Sequence, residues 1–156
     1  NQQMVIRALR KANNPHYHYF ICGKGEEEAN LKDLAAKCGL EKQVHFLGYR
    51  KDIAEIMCAC DIFVFLSLRE GLSRALMEAM ASGMPVVCTN IRGNVDLIEN
   101  GKGGFVVQND VDQVNRALEE LSVSNVMREK MGEYNTKSVN KYRESASVDA
   151  VHKLLF

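Results

Sequence analysis

Two carboxylates with seven residues between them, Glu70 and Glu78, are the residues whose type and spacing most directly suggest chemistry. Carboxylate oxygens accept hydrogen bonds, so one side chain could hold hydroxyls of a sugar ring and the other hydroxyls of a ribose. A group between the two rings, such as a diphosphate, needs hydrogen-bond donors of its own. The spacing of the pair therefore fits an extended nucleotide-sugar.

The segments around Glu70 supply such donors. Residues 61–67 have the apolar character of a buried strand, and residues 73–82 are predicted to form a helix. Glu70 then lies in the strand-to-helix loop, and the backbone N–H groups of residues 72–75 are the unpaired donors of the first helical turn. Together with the helix dipole these groups favour an anion such as a diphosphate, with Glu78 further along the helix.

A purely structural interpretation of the same residues is also possible. Arg74 and Glu78 are four residues apart, a spacing at which opposite charges form weak, exposed ion pairs on a helix, and Glu70 would then only decorate a loop. Arg74 is ambiguous in the functional interpretation too, because its guanidinium can donate to a diphosphate or face solvent. The residues alone leave these alternatives open.

Helix-like and strand-like segments alternate along the chain, which is typical of a parallel sheet covered by helices on both faces. We therefore expect an α/β fold with a Rossmann-like parallel sheet of about six strands, in a single domain spanning residues 1–156. The predicted strands are residues 17–22, 44–47, 62–66, 86–89 and 105–107. The predicted helical segments are residues 2–12, 26–38, 51–58, 73–82, 95–99, 111–122, 126–140 and 147–155.

Composition limits the partners. The 156 residues carry 20 basic and 20 acidic side chains, so the formal charge is zero and no dense basic cluster predicts nucleic-acid binding. No apolar stretch is long enough for a transmembrane segment, and the polar start lacks the features of a signal peptide, which makes a cytoplasmic location the default. The five cysteines are an odd set within apolar segments, so we expect reduced thiols.

The run of residues 44–107 resembles the C-terminal, donor-binding half of the retaining glycosyltransferases of family four (group 1), which have the GT-B architecture. The matching stretches are residues 44–49, 70–83, 85–89 and 101–107. The resemblance covers most of the chain and thins beyond about Glu120. It implies that this chain is the nucleotide-sugar-binding half of such an enzyme.

The resemblance also assigns roles to the matching residues. Glu70 corresponds to the catalytic glutamate that contacts the donor sugar, with no implication that it is a covalent nucleophile. Glu78 corresponds to the residue that binds the ribose. The residues that correspond to donors for the sugar and the diphosphate are Gly71, Leu72, Ser73, Arg74 and Ala75.

Two further loops are candidates for the donor site. In the family, the loop matching Tyr49 and Arg50 contacts the nucleotide base, largely through backbone groups; alternatively, Arg50 or Asp52 caps and solvates the following helix. Gly23 and Gly25 follow a predicted strand and are interpreted mainly as turn glycines, with lining of the donor cleft as the alternative. A nicotinamide-binding fingerprint is disfavoured here because its third glycine is missing.

We expect no metal and no cofactor besides the nucleotide-sugar substrate. The histidines lack further potential ligands nearby in the sequence, and no Asp-x-Asp run is recognised as suited to hold a divalent ion beside a diphosphate. The resemblance likewise implies metal-independent chemistry. Asp96 replaces a glutamate of the family and is shorter by one methylene, so its reach is reduced and helix capping is its alternative role.

For the intact enzyme, the resemblance implies transfer of a hexose-type sugar from a nucleotide diphosphate sugar, usually UDP-linked, to an acceptor hydroxyl with retention. Polysaccharide or glycolipid biosynthesis, peripheral to the membrane, is the common setting. A saccharide or lipid-linked acceptor would bind an N-terminal domain. That domain, the first strand of this domain, and an arginine and a lysine that neutralise the diphosphate are expected to be missing, so we expect the isolated chain to be inactive and to bind donor weakly.

The alternative is a non-catalytic Rossmann-like module that binds a nucleotide or a partner protein. A small independent domain is expected to open with its own first strand, whereas residues 2–12 are predicted to form a helix. This difference favours the donor-binding half of a larger enzyme.

Overall fold

A computed structural model describes residues 1–142, in which helices and strands alternate as the sequence predicts. The strands are β1 (Tyr19–Cys22), β2 (Val44–Gly48), β3 (Phe63–Phe65), β4 (Val86–Thr89) and β5 (Gly104–Val107). The helices are α1 (Gln2–Ala12), α2 (Glu28–Lys37), α3 (Ile53–Cys58), α4 (Arg74–Ala81), α5 (Arg92–Val95), α6 (Val111–Ser122) and α7 (Asn125–Val139), with a 3-10 turn at Asn140–Tyr142. The α/β class is confirmed, and the helix predicted over residues 147–155 lies outside the described residues.

The strands form two parallel groups. β1 pairs with β2, with Tyr19 opposite Val44, and β3, β4 and β5 pair in that order, with Phe63 opposite Val86. Residues 1–142 contain five strands rather than about six: a strand forms in each of the five predicted strand segments, and no sixth strand forms within these residues. Within the same residues β1 and β3 do not pair, so the strands do not join into one continuous sheet.

One hydrophobic cluster nevertheless includes residues from both groups of strands. α1 packs along α6, and their buried side chains include Ile6 and Val114. Tyr19 of β1, Val64 of β3 and the fully buried Val87 of β4 belong to the same cluster. Burial of these side chains is the main stabilising contribution available to such a domain. The cluster therefore holds together the strands whose carboxyl ends carry the candidate site loops.

The short helix after β4 begins earlier than predicted. α5 spans Arg92–Val95, whereas the sequence predicted a helical turn over residues 95–99. Asn94 explains the difference, because its fully buried amide group donates to the backbone oxygen of Thr89 at 3.0 Å. Its own backbone oxygen accepts from the N–H of Ile98 at 2.8 Å, which links the helix to the apolar residues that follow. The apolar residues that suggested a helical turn over residues 95–99 therefore belong mainly to the segment that follows α5.

The five cysteines are free, but they differ in exposure, which predicts their reactivity. Cys22 and Cys58 are exposed, whereas Cys88 is fully buried in β4. Burial raises the pKa of the Cys88 thiol to about 12, so little reactive thiolate exists near neutral pH. A thiol reagent such as DTNB should label Cys22 and Cys58 in the native protein and Cys88 only after unfolding. Rapid native labelling of Cys88, read by peptide mass spectrometry, would contradict its burial.

Candidate functional site

The predicted site residues lie in loops at the carboxyl ends of parallel strands and in the helix α4 that follows one of these loops, at the edge where open α/β sheets bind ligands. Gly23 directly follows β1, Tyr49 follows β2, and Glu70 lies between β3 and α4. Because β3 and β4 are parallel neighbours, the loop after β3 lies beside the segment that leads from β4 into α5. The fold therefore gathers loops from several strands at one edge.

The first turn of α4 presents free backbone donors. Ser73 is the N-cap: its buried hydroxyl accepts from the N–H of Leu76 at 3.3 Å, and its backbone oxygen accepts from Met77 at 3.1 Å. The backbone N–H groups of residues 72–75, which come before Leu76 in the chain, have no acceptor among residues 1–142. These are the N–H groups that the sequence predicts as an anion seat, and they lie next to Glu70 in the chain.

The two carboxylates flank this helix terminus and are both exposed. Glu70 precedes the N-cap by three residues, and Glu78 lies five residues beyond the cap, roughly 7.5 Å along the helix axis. Within residues 1–142 neither carboxylate forms a hydrogen bond or an ion pair. The alternative in which Glu78 pairs with Arg74 is therefore not realised, since no such ion pair forms in the described structure. Both carboxylates are free to accept hydrogen bonds from a ligand.

A groove of about 470 Å³ also runs between α4 and α7, and Arg74 and Glu78 are among its lining residues. Thr136 and Tyr142 line its opposite side. Glu78 therefore lies in a concave surface and not on an isolated stretch of helix. Arg74 is exposed, and its role in binding phosphate stays a prediction.

In the candidate base-binding loop, the Asp52 side chain does not cap the following helix, which was the alternative to base binding. Tyr49 is 71% exposed, and the Arg50 guanidinium pairs with Asp52, its Nε donating to Oδ1 at 2.8 Å. This hydrogen bond lowers the pKa of the Asp52 carboxyl below its usual value. Asp52 occupies the N-cap position of α3, but its side chain makes no capping hydrogen bond. The capping interpretation for Asp52 is thus wrong, because the carboxylate is already held by Arg50.

Gly23 and Gly25 lie in a loop that is tied to the Tyr49 loop. The N–H of Gly23, at a φ of 118° that favours glycine, donates to the backbone oxygen of Gly48 at 2.7 Å. Gly23 and Gly25 line a cavity of about 260 Å³ together with Cys22 and Phe46. The structure thus joins the loops after β1 and β2. No hydrogen bond within residues 1–142 links this pair of loops to the Glu70 loop.

Comparison with known proteins decides the family. The family model described as "Glycosyl transferases group 1" matches residues 1–138. The chain belongs to the group 1 glycosyltransferases. It is 32% identical over 146 residues to the lipopolysaccharide core biosynthesis glycosyltransferase LpsE of Rhizobium meliloti, covering 92% of this chain and 43% of that protein.

A second relative of this group 1 chain supports the assignment, and a solved structure shares its fold. It is 34% identical to the UDP-Gal:α-D-GlcNAc-diphosphoundecaprenol α-1,3-galactosyltransferase of Escherichia coli, covering 90% of this chain and 37% of that enzyme. The crystal structure of Anabaena Alr3699/HepE in complex with UDP shares its fold, with a TM-score of 0.91, 24% identity, and coverage of 99% of this chain and 44% of that one. The chain therefore spans about two fifths of the length of these relatives.

Two aspartates at the start of α6 show why a sequence pattern alone does not define a metal site in this family member. Contrary to the sequence interpretation, the chain does contain one Asp-x-Asp run, Asp110 and Asp112. Asp110 caps α6 by accepting from the N–H of Gln113 at 2.9 Å, and Asp112 pairs with Lys11. Among residues 1–142 no three His, Cys, Asp or Glu side chains cluster closely enough to hold a metal ion.

The sequence interpretation missed the residues that support the Glu70 loop of this chain. The Thr89 hydroxyl donates to the backbone oxygen of Ser67 at 2.5 Å, and the Asn94 amide group donates to the Thr89 hydroxyl at 3.1 Å. The place of this segment in the family pattern was the available signal, and the prediction drawn from it concerned Asp96. The Asp96 backbone oxygen accepts from the Tyr142 hydroxyl at 2.9 Å, and its carboxylate is exposed and has no hydrogen bond in residues 1–142.

Proposed function

We propose that this chain is the donor-binding domain of a retaining, hexose-transferring glycosyltransferase that uses a UDP-linked sugar. The observation that carries the proposal is the arrangement around α4: four N–H groups without acceptors in residues 1–142 lie between two exposed, unpaired carboxylates, Glu70 and Glu78. Donors for an anion flanked by acceptors for hydroxyls match the order of groups in a nucleotide-sugar.

The diphosphate binds at the N-terminus of α4. The free N–H groups of Leu72, Ser73, Arg74 and Ala75 supply the donors, with that of Gly71 nearer the sugar, and the buried Ser73 cap holds the first turn in place. The helix dipole adds about 0.3–1 kcal/mol for an anion at such a terminus, more where water is excluded. Arg74, which has no ion-pair partner in residues 1–142, can add a charge-assisted hydrogen bond.

Glu78 accepts from the ribose hydroxyls, and Glu70 accepts from hydroxyls of the transferred sugar. The roughly 7.5 Å along α4 between the cap and Glu78 places the ribose carboxylate deeper than the diphosphate seat. Glu70 lies in the loop before the seat, where the sugar would follow the diphosphate. The two carboxylates therefore orient opposite ends of the donor, which is a positioning contribution to catalysis.

The base binds at the loops after β1 and β2, which contain Tyr49, Arg50, Gly23 and Gly25. The hydrogen bond between Gly23 and Gly48 joins these loops beside a cavity of about 260 Å³. Uracil is the proposed base because the Escherichia coli relative is named as a UDP-Gal enzyme, and HepE was crystallised with UDP and with UDP-glucose.

In the proposed reaction the bond between the anomeric carbon and the diphosphate breaks, and the diphosphate leaves with the bonding electron pair. The acceptor oxygen then bonds to the anomeric carbon on the same face, and its proton passes to an oxygen of the departing diphosphate. Negative charge develops on the leaving diphosphate, where the preorganised N–H groups of α4 stabilise it more in the transition state than in the ground state. The proposal assigns this stabilisation to the helix terminus and not to a metal ion.

The acceptor, a saccharide or lipid-linked molecule, binds a second, N-terminal domain across the cleft. A strand from the longer protein would fit between β1 and β3, which share one hydrophobic cluster without pairing in residues 1–142. The proposed location is cytoplasmic and peripheral to the membrane. No helix in residues 1–142 is both long and apolar enough to cross a bilayer, and the named relatives act on a lipid-linked acceptor and in lipopolysaccharide synthesis.

A nucleotide panel tests the proposal on this chain. Ligand-observed NMR with UDP, GDP, ADP and uridine should detect UDP with a Kd between about 1 μM and 1 mM, and uridine should bind much more weakly because it lacks the diphosphate. UDP-glucose should bind at least as well as UDP. The proposal fails if no nucleotide binds at about millimolar concentration, or if uridine binds as well as UDP.

A further inference from the structure

The backbone of Gly93 in α5 lies directly against the loop that carries Glu70. A Cβ atom placed on Gly93 would lie 1.9 Å from the backbone oxygen of Gly71 and 2.9 Å from that of Glu70. Both atoms belong to the loop backbone, so no flexible side chain can move aside to relieve the contact. Gly93 has no positive φ that would require glycine. Close approach to the backbone carbonyls of Glu70 and Gly71 is therefore the reason that this position requires glycine.

A second set of contacts ties the start of the same loop to the same segment. The Thr89 hydroxyl donates to the backbone oxygen of Ser67 at 2.5 Å. Asn94, which is fully buried, donates to the Thr89 hydroxyl at 3.1 Å and to the Thr89 backbone oxygen at 3.0 Å. The Asn94 Nδ2 group is satisfied by these two directional bonds, which tie Thr89 to α5, whereas the Asn94 Oδ1 is buried without a partner in residues 1–142. The loop that carries Glu70 is thus held at Ser67 by a hydrogen bond from Thr89 and at Gly71 by close contact with Gly93.

These two observations concern different atoms and lead to one conclusion. We propose that the segment from Thr89 to Asn94 is a positioning element for Glu70, with Gly93 as its contact surface. It sets the distance between the Glu70 carboxylate and the α4 terminus, and through that distance it sets how strongly the sugar moiety of the donor is held. The proposal about the sugar rests on the proposed function, whereas the proposal about the loop position does not.

A substitution at Gly93 is expected to displace Glu70, because Glu70 lies on a loop and not on a helix. Adding one methyl group requires the backbone at Gly71 to move, since a Cβ would lie 1.9 Å from the Gly71 oxygen, and the adjoining Glu70 carbonyl must move with it. The α4 terminus is held separately by the buried Ser73 cap, so the N–H groups of Ser73, Arg74 and Ala75 keep their positions, whereas the N–H of Leu72 moves with the Gly71 carbonyl to which it is bonded. The effect should therefore fall on the sugar and leave the nucleotide contacts largely intact.

The test compares Gly93→Ala with Val95→Ala. Val95 is a matched control because it lies on the same short helix and is 43% exposed. In the ligand-free protein, Gly93→Ala should shift the backbone amide NMR signals of residues 70–72, and Val95→Ala should leave them in place. Thr89→Val, which removes the hydrogen bond to Ser67 with little change in volume, is the second variant and should shift the same signals.

Binding measurements then separate positioning from a general structural effect. Gly93→Ala should reduce the affinity advantage of UDP-glucose over UDP to the value measured for Glu70→Ala, with UDP itself changed less than about threefold. Combining Gly93→Ala with Glu70→Ala should cause no further loss, since both act through one carboxylate. Unchanged amide signals in both variants, or an unchanged UDP-glucose advantage, overturns the proposal. Shifted signals in a protein that binds no nucleotide would support the loop position and refute the proposed function.

Discussion

Glu78→Ala is expected to weaken UDP binding to this chain about tenfold or more while changing the affinity for 2′-deoxy-UDP much less. A hydrogen bond to a charged group contributes about 1.5–3 kcal/mol, and tenfold in affinity corresponds to about 1.4 kcal/mol. Glu78 is exposed and has no partner in residues 1–142, so truncation leaves no other side chain unpaired. The loss therefore reports the ribose contact directly, and isothermal calorimetry or NMR titration measures it.

The two ligands and one control variant make this result specific. Wild-type protein should prefer UDP over 2′-deoxy-UDP, and Glu78→Ala should abolish that preference, because the missing carboxylate and the missing hydroxyl remove the same hydrogen bond. Glu120→Ala, an exposed carboxylate on α6 away from the site, should change neither affinity. An equal loss for both ligands in Glu78→Ala would show that Glu78 does not contact the ribose 2′-hydroxyl.

Gly104→Ala should destabilise the domain by several kcal/mol, the largest effect on folding that we expect from a single methyl group. A Cβ on Gly104 would lie 1.9 Å from the backbone oxygen of Val86 and 2.7 Å from its backbone nitrogen. Gly104 also has a φ of 155°, which side chains rarely adopt. Overpacking and backbone strain each cost about 1–3 kcal/mol, which is a large share of the roughly 5–15 kcal/mol that stabilises a domain. Thermal unfolding should show Tm lowered by roughly 10 °C, or insoluble protein.

Gly101→Ala separates the two causes. Gly101 has a φ of 80°, but a Cβ there would meet no atom within 4 Å, so its substitution introduces strain without a clash. We expect this variant to lose about 1–2 kcal/mol. If Gly104→Ala were no less stable than Gly101→Ala, the close contact between β4 and β5 at Val86 would be contradicted.

Elements with strong local signals were predictable from the sequence. α6 was predicted over residues 111–122 and spans Val111–Ser122, because its apolar period of 3.6 residues and its Asp110 cap both act locally. The start of α4 at the Ser73 cap, with Glu70 in the preceding loop, follows from the same kind of signal. The part of the candidate site that depends on one helix and its cap was therefore accessible without the structure.

Features that depend on contacts between distant segments were not predictable. The contact between Gly93 and Gly71 joins residues that are 22 positions apart in the numbering, and one glycine among 11 gives no sign of it. Asn135 is fully buried in α7 and donates to the backbone oxygens of Met84 at 2.8 Å and Gly103 at 2.6 Å, although its type predicts exposure. The division of the strands into two groups is likewise a matter of pairing, which local patterns do not specify.

An NMR titration of this chain with UDP, followed on the backbone amide signals, tests most directly whether the diphosphate binds at the N-terminus of α4. If the diphosphate binds at the N-terminus of α4, UDP should shift the amide signals of Ser73, Arg74 and Ala75 most strongly, because these N–H groups lack acceptors in residues 1–142. Uridine at the same concentration should leave them nearly unchanged. Equal shifts with uridine, or UDP-induced shifts confined to residues away from the α4 terminus, would contradict diphosphate binding at this terminus.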